Sequence, residues 1–216
     1  RAVEFVASEV EELMDDDALV HAACAEIVEL TRDRNSVLIF TSGVEHGRHV
    51  ASGLPGEHGM ECGFVCSETP VAERDTLLTR FRREQDSSLF AESPLKFLCH
   101  VNVLTTGFDA PGVDCIVLLR PTMSPGLFYQ MVGRGFRRHP DKENCLVLDY
   151  GGNVRRHGPV DCLRICEKDG SETGEPPAKE CPECRALIAT AYRVCPQCGR
   201  AVPRPEQTGH DARASD

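Results

Sequence analysis

The sequence lacks the features that define several common protein classes. No apolar run approaches the roughly 20 residues that a membrane-spanning helix needs, and nothing resembles a signal peptide, so a membrane-spanning protein is not expected. A GxxxxGK[ST] phosphate-binding loop is absent, and no acidic box that could hold Mg²⁺ follows an apolar strand. These residues alone are therefore not expected to bind and hydrolyse ATP.

The composition is that of a globular protein. The chain has 216 residues, of which 41% are apolar and 27% are charged, enough for one core of ordinary size and a small appendage. It begins with Arg1 rather than Met, so we expect it to be part of a longer protein. We interpret residues 1–16 as a linker or the tail of an upstream element.

Short apolar runs alternate with helical patterns before residue 160. Continuous apolar runs are typical of strands buried on both faces of a parallel sheet. The pattern therefore predicts a parallel α/β sheet flanked by helices, with right-handed crossovers. Thr69 is predicted to cap the helix at residues 70–84. The predicted strands are 37–41, 62–66, 97–101, 115–119 and 145–149, and the predicted helices are 17–33, 45–54, 70–84 and 124–137.

The C-terminal region has a different composition. Residues 167–179 are rich in Gly, Pro, Ser and charge and are predicted to be a linker, and residues 204–216 are predicted to be a disordered tail. Between them, residues 180–203 contain two CPxC pairs, a pattern typical of a small zinc ribbon with a structural tetrahedral site. A disulfide pair and rubredoxin-like iron are the alternatives. The predicted ligands are Cys181, Cys184, Cys195 and Cys198.

The other cysteines are expected to be core thiols. A thiol within an apolar segment behaves as a small hydrophobe. Cys162 and Cys166 lie near the CPxC pairs, but four better-spaced ligands exist, so we assign both to the core as well. Reduced thiols together with a metal site indicate a cytoplasmic protein. The single cysteines in apolar segments are Cys24, Cys62, Cys66, Cys99, Cys115 and Cys145.

Two dense motifs are hard to explain by packing alone: VLTTGFDAPGVD at residues 103–114 and QMVGRGFRRHP at residues 130–140. They resemble motifs V and VI of the superfamily 2 helicases, which are ATP-driven nucleic-acid motors. The resemblance implies that residues 17–166 form a RecA-like domain, the second motor domain of such an enzyme. Taken alone, each motif has an ordinary alternative: a strand-to-loop connection for the first and a solvated helix face for the second.

The second motif carries the candidate catalytic residues. Arg134 and Arg137 are three positions apart, so both would project from one face of a helix. The resemblance implies that they act on the γ-phosphate of ATP as arginine fingers, which are worth about 10³–10⁵ in rate in GTPases. Gln130 would face the same cleft. Gly133 and Gly135 are predicted to keep the surface low so that phosphate can approach.

The first motif is expected to contact both nucleotide and nucleic acid. Thr105 and Thr106 offer hydroxyl groups, and Gly107 offers an open backbone N–H, to a nucleic-acid phosphate. The resemblance implies that Asp109 contacts the ribose or couples the two sites. The candidate nucleotide-binding residues are Gly107 and Asp109 of this motif, together with Gly133 of the second motif.

Two weaker segments fit the same scheme. VLIFTSG at residues 37–43 resembles motif IV, which places Thr41, Ser42 and Gly43 at a strand end, where phosphates are expected. Ser67 precedes a predicted helix whose N-terminus could hold another phosphate. Each segment is equally consistent with an ordinary helix cap.

The order of segments, the LVLDYGGNVRRHGPVD string at residues 146–161 and the zinc ribbon resemble the RadD-like bacterial group of DEAD/DEAH-related helicases. That resemblance implies ATP-dependent action on DNA in recombination or repair. ATP and Mg²⁺ would be bound together with an N-terminal RecA-like domain, and RNA stays open as a substrate. The alternatives are the motor subunit of a restriction system and a non-enzymatic module in which the zinc ribbon and an acidic surface bind a protein.

The net charge of −10 is unusual for a nucleic-acid motor, which uses Lys and Arg to neutralise phosphates. The acidity is concentrated near the N-terminus, since residues 1–36 carry 10 acidic and 3 basic residues, whereas residues 37–160 carry 14 and 13. We interpret the acidic run at residues 15–17 as a solvated face or linker. Charge therefore neither supports nor excludes a nucleic-acid partner.

Overall fold

The structure is a computed structural model that describes residues 4–82, 93–102, 109–160, 178–190 and 192–202, without the side chains of residues 56–58 and 178. The chain divides into two compact units, residues 1–153 and 154–216. None of the helices in these ranges is long and apolar enough to cross a membrane. The helices are α1 Ala7–Met14, α2 Asp17–Leu30, α3 Val44–His58, α4 Val71–Arg82, α5 Pro125–Val132 and α6 Asn153–His157, and the strands are β1 Val37–Thr41, β2 Cys62–Val65, β3 Phe97–His100, β4 Cys115–Leu119, β5 Leu146–Asp149, β6 Ala178–Glu180 and β7 Leu187–Ala189.

Five parallel strands form the sheet of the first unit, in the order β2-β3-β1-β4-β5. β1 lies at the centre, where its register joins Val37 to Phe97 of β3 and to Cys115 of β4. Every residue of β1, β3 and β4 is buried, which explains why these segments are apolar except for Thr41 and His100 at two of their carboxyl ends. The predicted parallel α/β sheet is confirmed, and no strand differs from its predicted bounds by more than one residue.

One core cluster of the first unit lies between the sheet and the α2–α3 pair. Val20, Cys24 and Ile27 recur at helical spacing on α2 and share one buried cluster with Val50 and Leu54 of α3. Burying an aliphatic side chain contributes roughly 1.5–3 kcal/mol, so this cluster is a main source of the unit's stability.

Three cysteines of the first unit, Cys24, Cys99 and Cys115, belong to this cluster, and Cys62 packs against it. Burial raises the pKa of the Cys99 and Cys115 thiols well above the usual range, so both stay protonated and unreactive. Their prediction as core thiols is confirmed for the four that are buried, Cys24, Cys66, Cys99 and Cys115, while Cys62 and Cys145 are partly buried. Cys162 and Cys166 lie outside the described residues.

The starts of α2 and α4 differ in whether a side chain caps the helix. Asp16 caps α2, since its carboxylate accepts from the Leu19 backbone N–H at 3.0 Å. Thr69 was expected to cap α4 in the same way. Instead its hydroxyl accepts from the Cys66 backbone N–H at 2.9 Å and closes the turn before the helix, which begins at Val71.

The fifth helix ends earlier than predicted. Ser124 caps α5 by accepting from the Leu127 backbone N–H at 3.2 Å. The α-helix ends at Val132, a 3₁₀ turn covers Gly133–Phe136, and Arg137 is extended with φ −68° and ψ 138°. The prediction of one helix to residue 137 is therefore wrong, and Arg134 and Arg137 do not share a helix face.

The two ends of the chain contain further elements. Within the segment interpreted as a linker or upstream tail, residues 7–14 form α1. In the second unit, β6 and β7 are antiparallel beside a small core of Cys181, Ile188, Cys195 and Val202. The predicted boundaries of the linker and of the tail stay predictions, since residues 161–177 and 203–216 lie outside the described part of the chain.

Candidate functional site

The carboxyl ends of the five parallel strands lie at one edge of the sheet, where ligands bind in open α/β folds. Ser42 and Gly43 follow β1 and Ser67 follows β2, so these predicted phosphate-binding residues all lie at this edge. Thr41 is only 1% exposed, and its hydroxyl lies 3.4 Å from the His100 carbonyl oxygen. Its predicted phosphate contact would need the hydroxyl to turn outward, and it stays a prediction.

The turn between β1 and α3 joins Ser42 to His46. The Ser42 Oγ and His46 Nδ1 atoms are 2.6 Å apart. Burial lowers the pKa of His46, so the ring is neutral at neutral pH. The backbone N–H groups of Glu45 and His46 both donate to one oxygen of Glu11, at 2.9 and 3.4 Å. The start of α3 therefore holds an anion that belongs to the chain itself.

Asn153 holds the loop after β4, and sequence reasoning missed it. This side chain is fully buried; its Oδ1 accepts from the Thr122 backbone N–H at 2.8 Å, and its Nδ2 donates to the Arg120 carbonyl at 2.9 Å. Nδ2 also donates to Asp149 at 3.0 Å. An asparagine placed directly after the glycine pair that follows β5 is the signal that could have identified it.

The two candidate arginine fingers have different surroundings. Arg134 is half-buried on the 3₁₀ turn. Arg137 donates through Nη1 to the Asp109 carboxylate, and this contact joins the two sequence motifs. The side chains are 39% and 72% exposed, so the ion pair contributes on the order of 0–1 kcal/mol and can open readily. The structure thus brings together a predicted catalytic residue and a predicted nucleotide-binding residue.

Two glycines beside these arginines have different roles. A Cβ at Gly133 would meet no atom within 4 Å, in agreement with an open surface. A Cβ at Gly135 would lie 2.2 Å from Cys145 Sγ and 3.1 Å from Ile116 Cγ1. Gly135 is buried and lets the 3₁₀ turn pack against the sheet, so the prediction that it keeps a phosphate-facing surface low is wrong.

His100, at the end of β3, is a buried residue that sequence reasoning missed. Its ring contacts Phe40 edge-on, with the ring centroids 4.4 Å apart. Within the described part of the chain, neither ring nitrogen has a hydrogen-bond partner. Burial, assisted by the charges of Arg120 and Arg134, lowers the pKa of His100 to about 3. The His100 ring is therefore neutral at neutral pH, and it adds no positive charge to those of Arg120 and Arg134.

The buried His100 predicts a loss of stability in mild acid. Unfolded chains bind a proton at histidine near pH 6.5, whereas folded His100 resists protonation until about pH 3. The free energy of unfolding should therefore fall by up to about 1.4 kcal/mol per pH unit as the pH drops through this window. Urea unfolding between pH 7 and pH 5 should give a flatter profile for His100→Leu than for the wild type. Equal slopes would contradict the assignment.

Lys142 is a third residue that sequence reasoning missed. Its ammonium group donates to the carbonyl oxygens of Pro111, Val113 and Gly135 at 3.0, 2.9 and 2.9 Å. Three acceptors match the three hydrogens of the group, and each bond is strengthened by its charge. Lys142 thus fastens the end of the first motif to the 3₁₀ turn of the second. It therefore helps to hold the turn that carries Arg134.

Several predicted contacts are not resolved by the described residues. Thr105, Thr106 and Gly107 lie outside the described part of the chain. Gln130 is exposed on α5, and it is available to a ligand. The roles assigned to these residues from the helicase resemblance stay predictions.

The four predicted metal ligands come together in the second unit. Their Sγ atoms all lie within 4.8 Å of one another, and the Cys181–Cys198 and Cys184–Cys195 pairs are each 3.7 Å apart. A tetrahedral ion with metal–sulfur bonds of about 2.3 Å places its sulfurs roughly 3.8 Å apart, whereas a disulfide needs about 2.05 Å. The arrangement fits a four-coordinate metal and not a disulfide pair.

The two CPxC pairs have the same backbone design. The Arg185 N–H donates to the Cys181 carbonyl at 2.9 Å, and the Gly199 N–H donates to the Cys195 carbonyl at 2.8 Å. Both donors have a left-handed backbone, with φ 59° and φ 73°. Hydrogen bonds from the backbone N–H groups of Cys184 and Glu183 lower the pKa of Cys181 to about 6, which favours the metal-binding thiolate.

Comparison with known proteins gives one family and several relatives. The profile of a family described as the helicase conserved C-terminal domain matches residues 19–139. A Schizosaccharomyces pombe protein named "Putative mitochondrial ATP-dependent helicase irc3" is 33% identical over 129 residues, which is 60% of this chain and 20% of that protein. A 51.5 kDa protein of Lactococcus phage (isolate 7-9) is 28% identical over 194 residues, 85% of this chain and 40% of that protein. The chain therefore spans well under half the length of these relatives.

Solved structures show the same fold. A fragment described as "a putative HsdR subunit of a type I restriction enzyme from Vibrio vulnificus YJ016" matches with a TM-score of 0.58 and 25% identity, over 71% of this chain and 30% of that chain. The C-terminal domain of the DEAD-box protein Dbp5 matches with a TM-score of 0.50 and 20% identity, over 65% of this chain and 77% of that chain. At this identity the second likeness concerns the fold alone.

Proposed function

Because this chain belongs to the helicase conserved C-terminal domain family of superfamily 2, we propose that it works as the second motor domain of an ATP-dependent DNA helicase or translocase. The observation that carries the proposal is the contact of Arg137 with Asp109, which joins the two helicase-like motifs beside the turn that holds Arg134. Such a constellation suits the recognition of a phosphate chain, because guanidinium groups bind phosphate oxygens in pairs.

The arginines would act on ATP held by a second RecA-like domain, which would supply the phosphate loop and the ligands of Mg²⁺. On arrival of the phosphates, Arg137 would leave Asp109 at little cost, because that pair is exposed. Arg134 and Arg137 would then neutralise the charge that develops on the γ-phosphate. Gln130 and Gly133 would line the same cleft, and Asp109, with Gly107, would be free to contact the ribose.

The nucleic-acid backbone would cross the carboxyl edge of the sheet. Exposed Ser67 and half-buried Ser42 offer hydroxyl groups there, and both precede a helix whose N-terminus favours an anion. Such contacts position a strand without reading its sequence, as expected for a motor. The proposed contact residues are Thr41, Ser42, Gly43, Ser67, Thr105 and Thr106.

Zinc is the metal that we propose for the second unit. Four thiolates leave no open position, so its role would be structural. Together with the family assignment, a four-cysteine module after the motor domain supports the RadD-like group, and thus a role in DNA recombination or repair. Reduced cysteines support a cytoplasmic location, although the fission yeast relative is named as mitochondrial.

A restriction motor is the second candidate. The observation that favours it is the likeness to the Vibrio vulnificus structure described as an HsdR subunit, which covers 71% of this chain. The motor domain would have the same role in both cases. A nuclease domain in the full gene product would favour restriction.

The first test is ATP turnover, with and without single-stranded DNA, by this chain and by the gene product that carries both motor domains. We expect the two-domain protein to hydrolyse ATP and this chain to be silent, because the sequence has no phosphate-binding loop. Turnover by this chain alone would contradict the proposal, since a nucleotide site would then exist within it. An inactive two-domain protein would favour the non-enzymatic module.

A further inference from the structure

The acidic segment at residues 4–17 is held on the carboxyl edge of the sheet by its carboxylates rather than by apolar packing. It contains seven acidic residues and no basic residue. Every residue of α1 is at least partly exposed, and Val6 and Leu13 are 55% and 70% exposed. Hydrophobic burial therefore contributes little to keeping this segment in place, and its polar contacts decide where it lies.

The first contact is made by Glu11 at the start of α3. Its Oε1 accepts from the backbone N–H of Glu45 at 2.9 Å and of His46 at 3.4 Å. A Cβ at Gly43 would lie only 1.8–2.2 Å from the carboxylate atoms, so the absence of a side chain at Gly43 makes room for the anion. The carboxylate thus occupies the strand-to-helix turn in which Ser42 and Gly43 are proposed to hold a phosphate.

The second contact is made by Glu4 at the end of the neighbouring strand β4. Its Oε1 accepts from the Met123 backbone N–H at 2.9 Å, and its Oε2 accepts from the Thr122 hydroxyl at 3.0 Å. Burial alone would raise the pKa of Glu4, but these hydrogen bonds and the charge of Arg120 lower it below its usual value. Asn153 holds the same loop, because its Oδ1 accepts from the Thr122 backbone N–H.

We infer that residues 4–17 act as an intramolecular substitute for the nucleic-acid backbone, in which the carboxylates of Glu4 and Glu11 occupy positions that phosphates of the bound strand would take. This inference rests on the proposed function and concerns the regulation of its nucleic-acid site. Carboxylates and phosphates bind the same backbone N–H and hydroxyl donors, and a phosphate carries more acceptor oxygens. A nucleic-acid strand must therefore displace the segment, which lowers the apparent affinity of the domain for weakly bound strands.

The test compares two double variants of this chain that change the net charge equally. Glu4→Gln/Glu11→Gln removes the two bound carboxylates, whereas Glu9→Gln/Glu12→Gln removes two exposed carboxylates of α1. Fluorescence anisotropy with a labelled single-stranded DNA oligonucleotide at low salt should show binding at least ~10-fold tighter for the first variant than for the second, since each charged hydrogen bond that competes with phosphate is lost.

Hydrogen exchange gives a direct readout of displacement. In the wild type, saturating DNA should speed exchange of the amides of α1 and of the Asp15 N–H that caps its end by donating to the Glu11 carbonyl at 2.9 Å, because the released helix is too short to persist alone. The Glu45 and Met123 amides should exchange faster in Glu4→Gln/Glu11→Gln without DNA. Thermal unfolding of both variants checks that the core is intact.

The outcomes separate this inference from the proposed function. If both double variants bind DNA equally well and α1 exchange does not respond to DNA, the substitution of carboxylate for phosphate is refuted, while nucleic-acid binding stands. If neither variant nor the wild type binds DNA at low salt, the nucleic-acid role itself fails, and this inference fails with it. Binding by Glu4→Gln/Glu11→Gln with none by the wild type would support both.

Discussion

Replacing Arg134 by alanine in the two-domain protein should lower ATP turnover by about 10³-fold or more, with little change in nucleotide binding. The reason is geometric, since Arg134 is half-buried on a turn that Gly135 fits against the sheet and that Lys142 fastens to the neighbouring segment. A guanidinium held in this way needs no reorganisation when charge develops on the transferred phosphoryl group. Steady-state ATPase assays and the binding of a fluorescent nucleotide measure the two effects separately.

Arg138→Ala is the matched control, because Arg138 belongs to the same motif but is exposed. It should change turnover by no more than a few-fold. Arg134→Lys should not restore turnover fully, since an ammonium group cannot bind two phosphate oxygens with a planar fork. Retention of wild-type turnover by Arg134→Ala would remove the arginine-finger assignment and leave the arginine as an ordinary surface residue.

Removal of zinc should unfold the second unit while leaving the first unit intact. Among the described residues of the second unit, the core beside Cys181 and Cys195 contains only Ile188 and Val202, with Ala186 and Tyr192 packed against it, so we expect a bound metal to supply most of its stability. Structural zinc contributes roughly 10–16 kcal/mol of apparent binding free energy in zinc-finger peptides. A strong chelator should release one zinc ion per chain and remove the exchange protection of the Cys195 N–H, which donates to the Arg200 carbonyl at 2.7 Å.

Cys198→Ser should weaken zinc binding by more than about 100-fold, because it removes one of four ligands and loss of even an outer-shell partner costs 10–100-fold. Cys62→Ser, at a partly buried cysteine of the sheet, is the control and should retain a full complement of zinc. Zinc content by mass spectrometry and competition with a chromogenic chelator measure the effect. Chains purified with iron, or without any metal, would contradict the zinc assignment.

The strands could be predicted because strands buried on both faces of a sheet are apolar along most of their length. β1 and β4 are buried along their whole length, so they read as uninterrupted apolar runs and their predicted bounds are the observed ones. Helix ends were harder to predict. α3 continues through Pro55 to His58, and Gly59 ends the helix with φ 63°.

The end of α5 depends on contacts that no local pattern contains. Gly135 turns toward Cys145 and Ile116, which are distant in sequence, and this packing replaces the last helical turn that the arginine spacing had indicated. Glu4 is similar, since its partners Thr122 and Met123 lie 118 and 119 positions away. The motif residues could therefore be identified from the sequence. The residues that position them, or that compete with their ligands, could be identified only from the tertiary structure.

The central place of β1 in the sheet has a consequence for how the chain acquires its structure. β1 precedes the other four strands of this sheet in the chain, yet both of its neighbours come much later, since Val37 pairs with Phe97 and with Cys115. The sheet cannot close around β1 until β4 has left the ribosome. Long-range parallel pairings of this kind form slowly. The apolar segment at residues 37–41 is therefore expected to stay without its neighbouring strands during part of synthesis. Chaperone binding to nascent chains should accordingly be concentrated on β1.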